Sequence, residues 1–242
     1  MEAGDDPERR KVSKRMDSDA GRRGMLHVDQ TRPLIRLGQM AVALYARIYH
    51  RVRIESPPRF PARGPAIVVC NHTSGLDPVL IQALSRRTIV WLMAREYYEI
   101  RAMKPFFRLI DAIPVLRGGN DWAATRKALR ALLSGRILGI FPEGKIETSR
   151  QITPFADGVG MLAVRSQAPV LAAYLDGTQR GQEIGPALAR RQRAVLAFAP
   201  PRVFSGKGSE ATTRARKEIE QSVRELQVRM EARGKIRGFG EI

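Results

Sequence analysis

The stretch Ala66-Ile67-Val68-Val69-Cys70-Asn71-His72-Thr73-Ser74-Gly75-Leu76-Asp77-Pro78 decides how this chain is read. Its first five residues are an apolar run, rich in β-branched side chains and of the length of a buried strand. The run ends abruptly in polar residues. Asp77-Pro78 then precedes the apolar residues 79–85, and Asp followed by Pro suits an N-cap and a first helical turn. Strand, polar exit and helix in that order open an α/β unit, and open α/β sheets put their chemistry at strand exits. His72 and Asp77 both lie on this exit, with Gly75 between them to ease the turn.

A second exit has the same form. Ile137-Leu138-Gly139-Ile140 is followed by Phe141-Pro142-Glu143-Gly144. Strand patterns recur at 66–70, 88–93, 112–116, 137–141, 169–175 and 194–198, with helical patterns at 79–85, 122–133 and 158–166 between them. Alternation of this kind predicts an α/β single domain: a central mixed, largely parallel sheet flanked by helices. Residues 209–234 read as one closing helix, with Ile219, Val223, Leu226 and Met230 as its apolar stripe and Gly234 as its stop.

Before the sheet, Pro33 is well placed to start a helix over 33–52. Leu34, Ile35, Leu37, Met40, Ala41, Leu44, Tyr45 and Ile48 repeat near helical spacing, with Arg36, Arg47, Arg51 and Arg53 around them. Such a helix packs either into a core or along a membrane interface, its arginines near lipid phosphates. The expected organisation is a disordered segment at 1–28, an amphipathic membrane-interface helix and proline-rich linker at 29–59, a core at 60–206, and a C-terminal helix and tail at 207–242.

The formal charge of +18 points to an anionic partner. One cysteine and three histidines cannot build a zinc finger, and aromatics are only 6% of the chain, so nucleic acid is not the expected partner. An anionic membrane surface or an acidic carrier protein ranks above it. No run of eighteen apolar residues indicates a spanning helix, and the acidic residues near the start argue against a signal or transit peptide. A lone cysteine fits a reducing compartment. Peripheral or monotopic association with the cytoplasmic face of a membrane is the expected location.

His72 is the leading candidate base, because an imidazole takes a proton near neutral pH and a neighbouring carboxylate, Asp77, can fix its tautomer. Asn71 and Ser74 flank it at the same strand exit. Cys70 makes a Cys-His dyad conceivable, although its place at the end of a β-branched run reads as core. Gly139 to Lys145 formally fits a phosphate-binding loop. However, Ile146 stands where Ser or Thr would hold magnesium, and Pro142 removes an amide. Arg117, at a third strand exit, suits bidentate phosphate binding. Arg101, Lys104 and Arg108 interleave with Phe106 and Phe107 as either a headgroup-contacting patch or a plain solvated face.

These residues resemble the glycerophospholipid acyltransferases, best known from the 1-acylglycerol-3-phosphate acyltransferases. Asn71, His72, Ser74 and Asp77 match the family's first block, and Phe141, Pro142, Glu143 and Gly144 match its third. Residues 113–117 resemble the second block more loosely. Ala168-Pro169-Val170 resembles the fourth, with Ala172 where the family has a second proline. The resemblance covers about residues 60 to 180. It implies direct acyl transfer from acyl-CoA or acyl-carrier-protein to a lysophospholipid hydroxyl, lysophosphatidic acid by default, in phospholipid biosynthesis. No metal or other cofactor is implied. Arg117, Glu143, Gly144 and Lys145 would bind the acceptor, Asn71 and Ser74 would bind the oxyanion or shape the site, and backbone amides near the first block would meet the oxyanion. One departure stands out: the family's Thr-Arg after the third block is Lys145-Ile146 here. A non-phosphate lipid acceptor therefore stays open, as does a basic lipid-binding protein without catalysis.

Overall fold

The computed structural model describes residues 33–117, 121–149, 151–178, 181 and 183–236. The segment read as disordered, 1–28, lies outside the described residues. Seven strands form one sheet: β1 (Arg53–Ser56), β2 (Ala66–Cys70), β3 (Ile89–Ala94), β4 (Ile113–Val115), β5 (Ile137–Ile140), β6 (Val170–Asp176) and β7 (Val195–Phe198). Their order is β1-β7-β6-β2-β5-β3-β4. The run from β6 to β4 is parallel, β7 is antiparallel to β6, and β1 is parallel to β7. This is the mixed, largely parallel α/β sheet expected. β2 sits at its centre between β5 and β6, which is why all five of its residues are buried.

The helices are α1 (Pro33–Ile48), α2 (Asp77–Gln82), α3 (Arg95–Tyr98), α4 (Lys104–Leu109), α5 (Trp122–Leu133), α6 (Asp157–Ser166), α7 (Ile184–Ala189) and α8 (Gly208–Ile236). Alternate residues of β2 divide the core. Ile67 and Val69 face a layer of α5, α6 and α8, while Ala66, Val68 and Cys70 face α1, α2 and α7. On α8 the predicted stripe holds: Ile219, Val223 and Leu226 are buried, and Met230 packs against the same core. Burial of each of those three contributes roughly 1.5–3 kcal/mol. α8 passes through Gly234 instead of stopping there, since a glycine lowers helix propensity by only about 1 kcal/mol.

Two further departures have physical reasons. Arg53–Ser56 lies in the stretch read as helix and linker, yet forms the edge strand β1. Its alternating charged residues suit an edge and leave no apolar pattern to find. α1 ends at Ile48, short of Val52, where Arg51 adopts φ 45° and the Val52 amide bonds back to the Ala46 carbonyl, a left-handed helix stop.

α1 does not bury its apolar stripe. Leu37, Met40, Leu44 and Ile48 are 64%, 69%, 59% and 63% exposed, while Ala46 on the opposite side is buried. The body holds the helix by its other face: Gln39 donates to the Thr88 hydroxyl, and Tyr45 and Tyr49 donate to the carbonyls of Leu188 and Ala189. No helix among the described residues is long and apolar enough to cross a membrane.

Candidate active site

The exits of β2 and β5 adjoin in the sheet because these strands are paired in register. The loop 71–76 leaves β2, and α2 begins at Asp77 itself, with Leu76 at the N-cap position. Asp77 is therefore not the cap. Its fully buried carboxylate turns back on the loop instead, and Oδ2 accepts from the amides of Thr73 (2.7 Å) and Ser74 (2.9 Å). The same oxygen lies 3.0 Å from His72 Nδ1. The contact gives Nδ1 the proton and leaves Nε2 as the basic nitrogen. Gly75 serves by its size, not by a special turn. A Cβ there would lie 2.5 Å from the Ile184 amide nitrogen, where α7 begins.

From β5, Phe141-Pro142-Glu143-Gly144 folds as a β-turn closed by the Gly144 amide on the Phe141 carbonyl (3.1 Å). Gly144 takes φ +71°. The arrangement is a tight turn and not a phosphate-cradling loop. Glu143 is drawn inward. Oε1 accepts from the His72 amide (3.2 Å), and Oε2 from the Thr153 amide and hydroxyl (3.3 and 3.1 Å). Burial pushes its carboxyl above the ordinary range against the pull of those bonds. The His72 carbonyl in turn accepts from the Glu147 amide (2.7 Å).

The His72 ring stacks on Phe141 (centroids 4.1 Å apart, planes 15° apart), and Phe141 stacks on Trp91 of β3 (5.0 Å, 8°). Trp91 fits because its register partner on β5 is Gly139, where a Cβ would lie 2.4 Å from the indole. Sequence reasoning placed Phe141 in the third block without a role beside His72, and missed Trp91. A glycine inside a strand pattern was the one available signal of a close approach.

Asn71 pairs with β6: its side-chain N–H donates to the Leu175 carbonyl (2.9 Å) and its side-chain oxygen accepts from the Leu175 amide (2.8 Å), extending the β2–β6 ladder. These bonds fix it behind the cleft, where it shapes the site. The backbone amides of His72, Thr73 and Ser74 are likewise taken by Glu143 and Asp77, so the amides expected to meet an oxyanion are not these three. Ser74 is buried, and its hydroxyl accepts from the Leu76 amide. Cys70 is fully buried, and burial together with Asp77 and Glu143 pushes its thiol well above its usual range, which leaves no thiolate for nucleophilic work.

A cleft of about 1410 Å³ opens over these strand exits, lined by His72, Arg117, Glu143, Gly144 and Lys145 among others. The candidate catalytic and acceptor-binding residues thus share one cavity, with Asp77, Asn71 and Ser74 buried behind it. Arg117 lies over the Tyr97 ring (5.7 Å) on an exit pinned by Asp121, which accepts from the amides of Leu116 and Ala124. Lys145 is 3.2 Å from Glu147, whose carboxyl is held at about 2 by the Ser149 amide and hydroxyl and by Lys145. No group of three His, Cys, Asp or Glu side chains that could hold a metal ion occurs among the described residues.

The acyltransferase family model matches residues 51–176, more than half of the chain and both exits. The chain belongs to this acyltransferase family. It is 25% identical over 134 residues to the 1-acyl-sn-glycerol-3-phosphate acyltransferase of Bacillus subtilis, covering 55% of this chain and 66% of that protein. It is 33% identical over 119 residues to the putative 1-acyl-sn-glycerol-3-phosphate acyltransferase acl-2 of Caenorhabditis elegans, covering 45% and 39%. The matches therefore span between about two fifths and two thirds of these relatives. The crystal structure of the 1-acyl-sn-glycerophosphate acyltransferase PlsC of Thermotoga maritima has the same fold, with TM-score 0.64, 22% identity and coverage of 82% of this chain and 80% of that one.

Proposed function

We propose that this acyltransferase-family chain is an O-acyltransferase that moves a fatty acyl group from acyl-CoA or acyl-carrier-protein to a lysophospholipid hydroxyl, lysophosphatidic acid by default, in phospholipid biosynthesis. The observation that carries the reading is His72, held by Asp77 at 3.0 Å on the wall of the large cleft. His72 Nε2 takes the proton of the acceptor hydroxyl as the oxygen attacks the thioester carbonyl. Asp77 stabilises the imidazolium that forms. The tetrahedral intermediate collapses with cleavage of the C–S bond, and His72 returns the proton to the departing thiolate. No acyl-enzyme is needed, and the buried, protonated Cys70 offers no alternative nucleophile. Arg117, at the cleft wall, suits the acceptor phosphate. The outward apolar stripe of α1, with Arg36 and Arg47 beside it, supports docking on an anionic membrane surface at the cytoplasmic face.

The test offers acyl-CoA and acyl-carrier-protein with a panel of lysolipids to the purified full chain and to His72→Ala. Loss of the base is expected to slow transfer by about 10²–10⁴-fold. Full transfer by His72→Ala would overturn the mechanism.

A second acceptor class has a specific observation in its favour. The charge of Lys145 is already answered by Glu147, and Ile146 adds none, so this side of the cleft offers little to a phosphate. A hydroxylated lipid without phosphate is the alternative acceptor. Turnover of lysophosphatidic acid that collapses in Arg117→Ala through a raised KM rejects it.

A further inference from the structure

We propose that the end of the cleft far from His72, where Arg165 and Lys207 meet, is an anion subsite that holds the phosphate of the acyl donor's phosphopantetheine arm. The inference rests on the acyltransferase reading above and deepens it, because that phosphate is common to acyl-CoA and acyl-carrier-protein. The proposed chemistry uses only the strand exits, yet the same cavity runs on past them along the outward face of α6. The Ala156 amide donates to the Pro142 carbonyl (3.0 Å), so α6 starts beside the turn that carries Glu143. Gly158, Met161 and Arg165 then follow three and four residues apart on one face, and all three line the cleft. A Cβ on Gly158 would meet nothing within 4 Å, so this stretch is open.

α8 supplies the other wall and runs antiparallel to α6. A Cβ on Gly160 would lie 2.2 Å from the Thr212 carbonyl oxygen, and one turn earlier Asp157 Oδ1 pairs with Arg216 Nε (3.1 Å). The same register, continued down α6, sets Arg165 level with Lys207, just before α8 begins at Gly208. Both side chains are exposed and both line the cleft. Arg214 adds a third cation: its Nη2 would lie 3.7 Å from a Cβ on Gly206. Among the described residues none of these three takes part in an ion pair, whereas Asp157, the one acid that α6 and α8 give to the cleft, is answered by Arg216. Unpaired guanidinium and ammonium groups at one end of a cavity suit a phosphate. Length fits the same ligand. Asp157 to Arg165 covers about 12 Å of helix axis. The bonds between the thioester sulfur and the phosphorus of the pantetheine arm extend over roughly 14–16 Å. A donor with its thioester at His72 therefore brings its phosphate to this end, and the exposure of both cations leaves room beyond it for a nucleotide or a carrier protein.

The test compares two donors that differ only in that phosphate, an acyl-phosphopantetheine and the matching acyl-pantetheine, on the full-length chain with the acceptor selected from the lysolipid panel. The double variant Arg165→Gln with Lys207→Gln should raise KM for the phosphate-bearing donor about tenfold or more. Its KM for acyl-pantetheine should match that of the unsubstituted chain, because this donor has nothing for the two cations to hold. Lys207→Arg keeps the charge and should keep the low KM. Thermal melts of the double variant should overlay those of the unsubstituted chain, since both side chains are exposed. Acyl-CoA and acyl-carrier-protein then identify the source: the rise in KM follows whichever natural donor delivers its phosphate here. An unchanged KM for acyl-phosphopantetheine in the double variant, or an equal rise for both synthetic donors, overturns the proposal. Failure of the acyltransferase reading is distinct: the unsubstituted chain would transfer the acyl group from neither donor.

Discussion

Gly139→Ala tests whether the aromatic stack behind His72 holds it in place. A Cβ at residue 139 would lie 2.4 Å from Cε3, 2.5 Å from Cζ3 and 2.7 Å from Cδ2 of Trp91. Carbon atoms in contact stand about 3.5–4.0 Å apart, so the indole must retreat by roughly 1 Å. It is 4% exposed and already stacked at 5.0 Å on Phe141, which is stacked at 4.1 Å on His72. Overpacking of this kind costs about 1–3 kcal/mol. In a chain of this length that lowers Tm by about 2–12 °C. The displacement also reaches His72, the base of the proposed mechanism, and a shift of about 1 Å there can reduce turnover by up to about 10²-fold. The assay is kcat and KM for acyl transfer beside a thermal melt, with expected loss in kcat and Tm and little change in KM. Trp91→Phe in the same background shrinks the ring that is struck and should return part of both losses. Unchanged Tm and kcat in Gly139→Ala, or losses that Trp91→Phe leaves untouched, would refute the reasoning.

Asp77→Ala strips the acceptor from His72 Nδ1 and from two buried amides, so transfer should fall about 10²–10⁴-fold and each orphaned amide should cost about 1–3 kcal/mol, read by denaturant melts. Asn71→Ala leaves the Leu175 amide and carbonyl unpaired, a loss of about 2–6 kcal/mol in the same melts. Cys70→Ala should retain transfer, and the folded chain should resist a thiol alkylating reagent until it is unfolded. The Glu143 carboxyl is raised in the folded chain, so the folded chain binds more protons than the unfolded one between the ordinary carboxyl value and the raised one. Its contribution to stability is full below the ordinary value, about 4.3, and is lost as pH rises through the folded value. The stability gap between the unsubstituted chain and Glu143→Gln should therefore narrow from pH 3.5 to pH 7 in denaturant melts.

The parts legible in the sequence share one property: they are local. An apolar run, its polar exit and a proline-led helix fit within thirteen residues, so His72 and Asp77 and the exit of β5 could be read without the fold. What was not legible depends on distance. β1 is a strand only because β7, about 140 residues later, gives it a ladder. α7 has six residues, too few to show a period, and α4 is as short. The outward turn of α1's stripe follows from where Tyr45 and Tyr49 find carbonyls near residue 188, not from the stripe itself. Charge counting was equally blind to place. Arg87 is buried, and its guanidinium donates to the carbonyls of Pro61, Gly64 and Gly135, so one of the basic residues taken for partner recognition works inside the fold.

The long-range bonds also change what the third block does. Sequence reasoning gave Glu143 to the acceptor, yet both its oxygens are engaged by His72 and Thr153. The His72 amide is fixed by Glu143, its carbonyl by the Glu147 amide, its ring nitrogen by Asp77 and its ring face by Phe141. Three of those four restraints come from the exit of β5 and the turn that follows. On the proposed mechanism the two blocks act as a single device, in which one exit carries the base and the other immobilises it, and their pairing through the β2–β5 ladder sets the distance between them. A ring so confined on the cleft wall would lose no rotamer freedom at the moment of reaction, which is the physical content of preorganisation. Glu143 on this account is a positioning residue. Its replacement should register in kcat more than in KM, the opposite of what a direct bond to an acceptor hydroxyl would give.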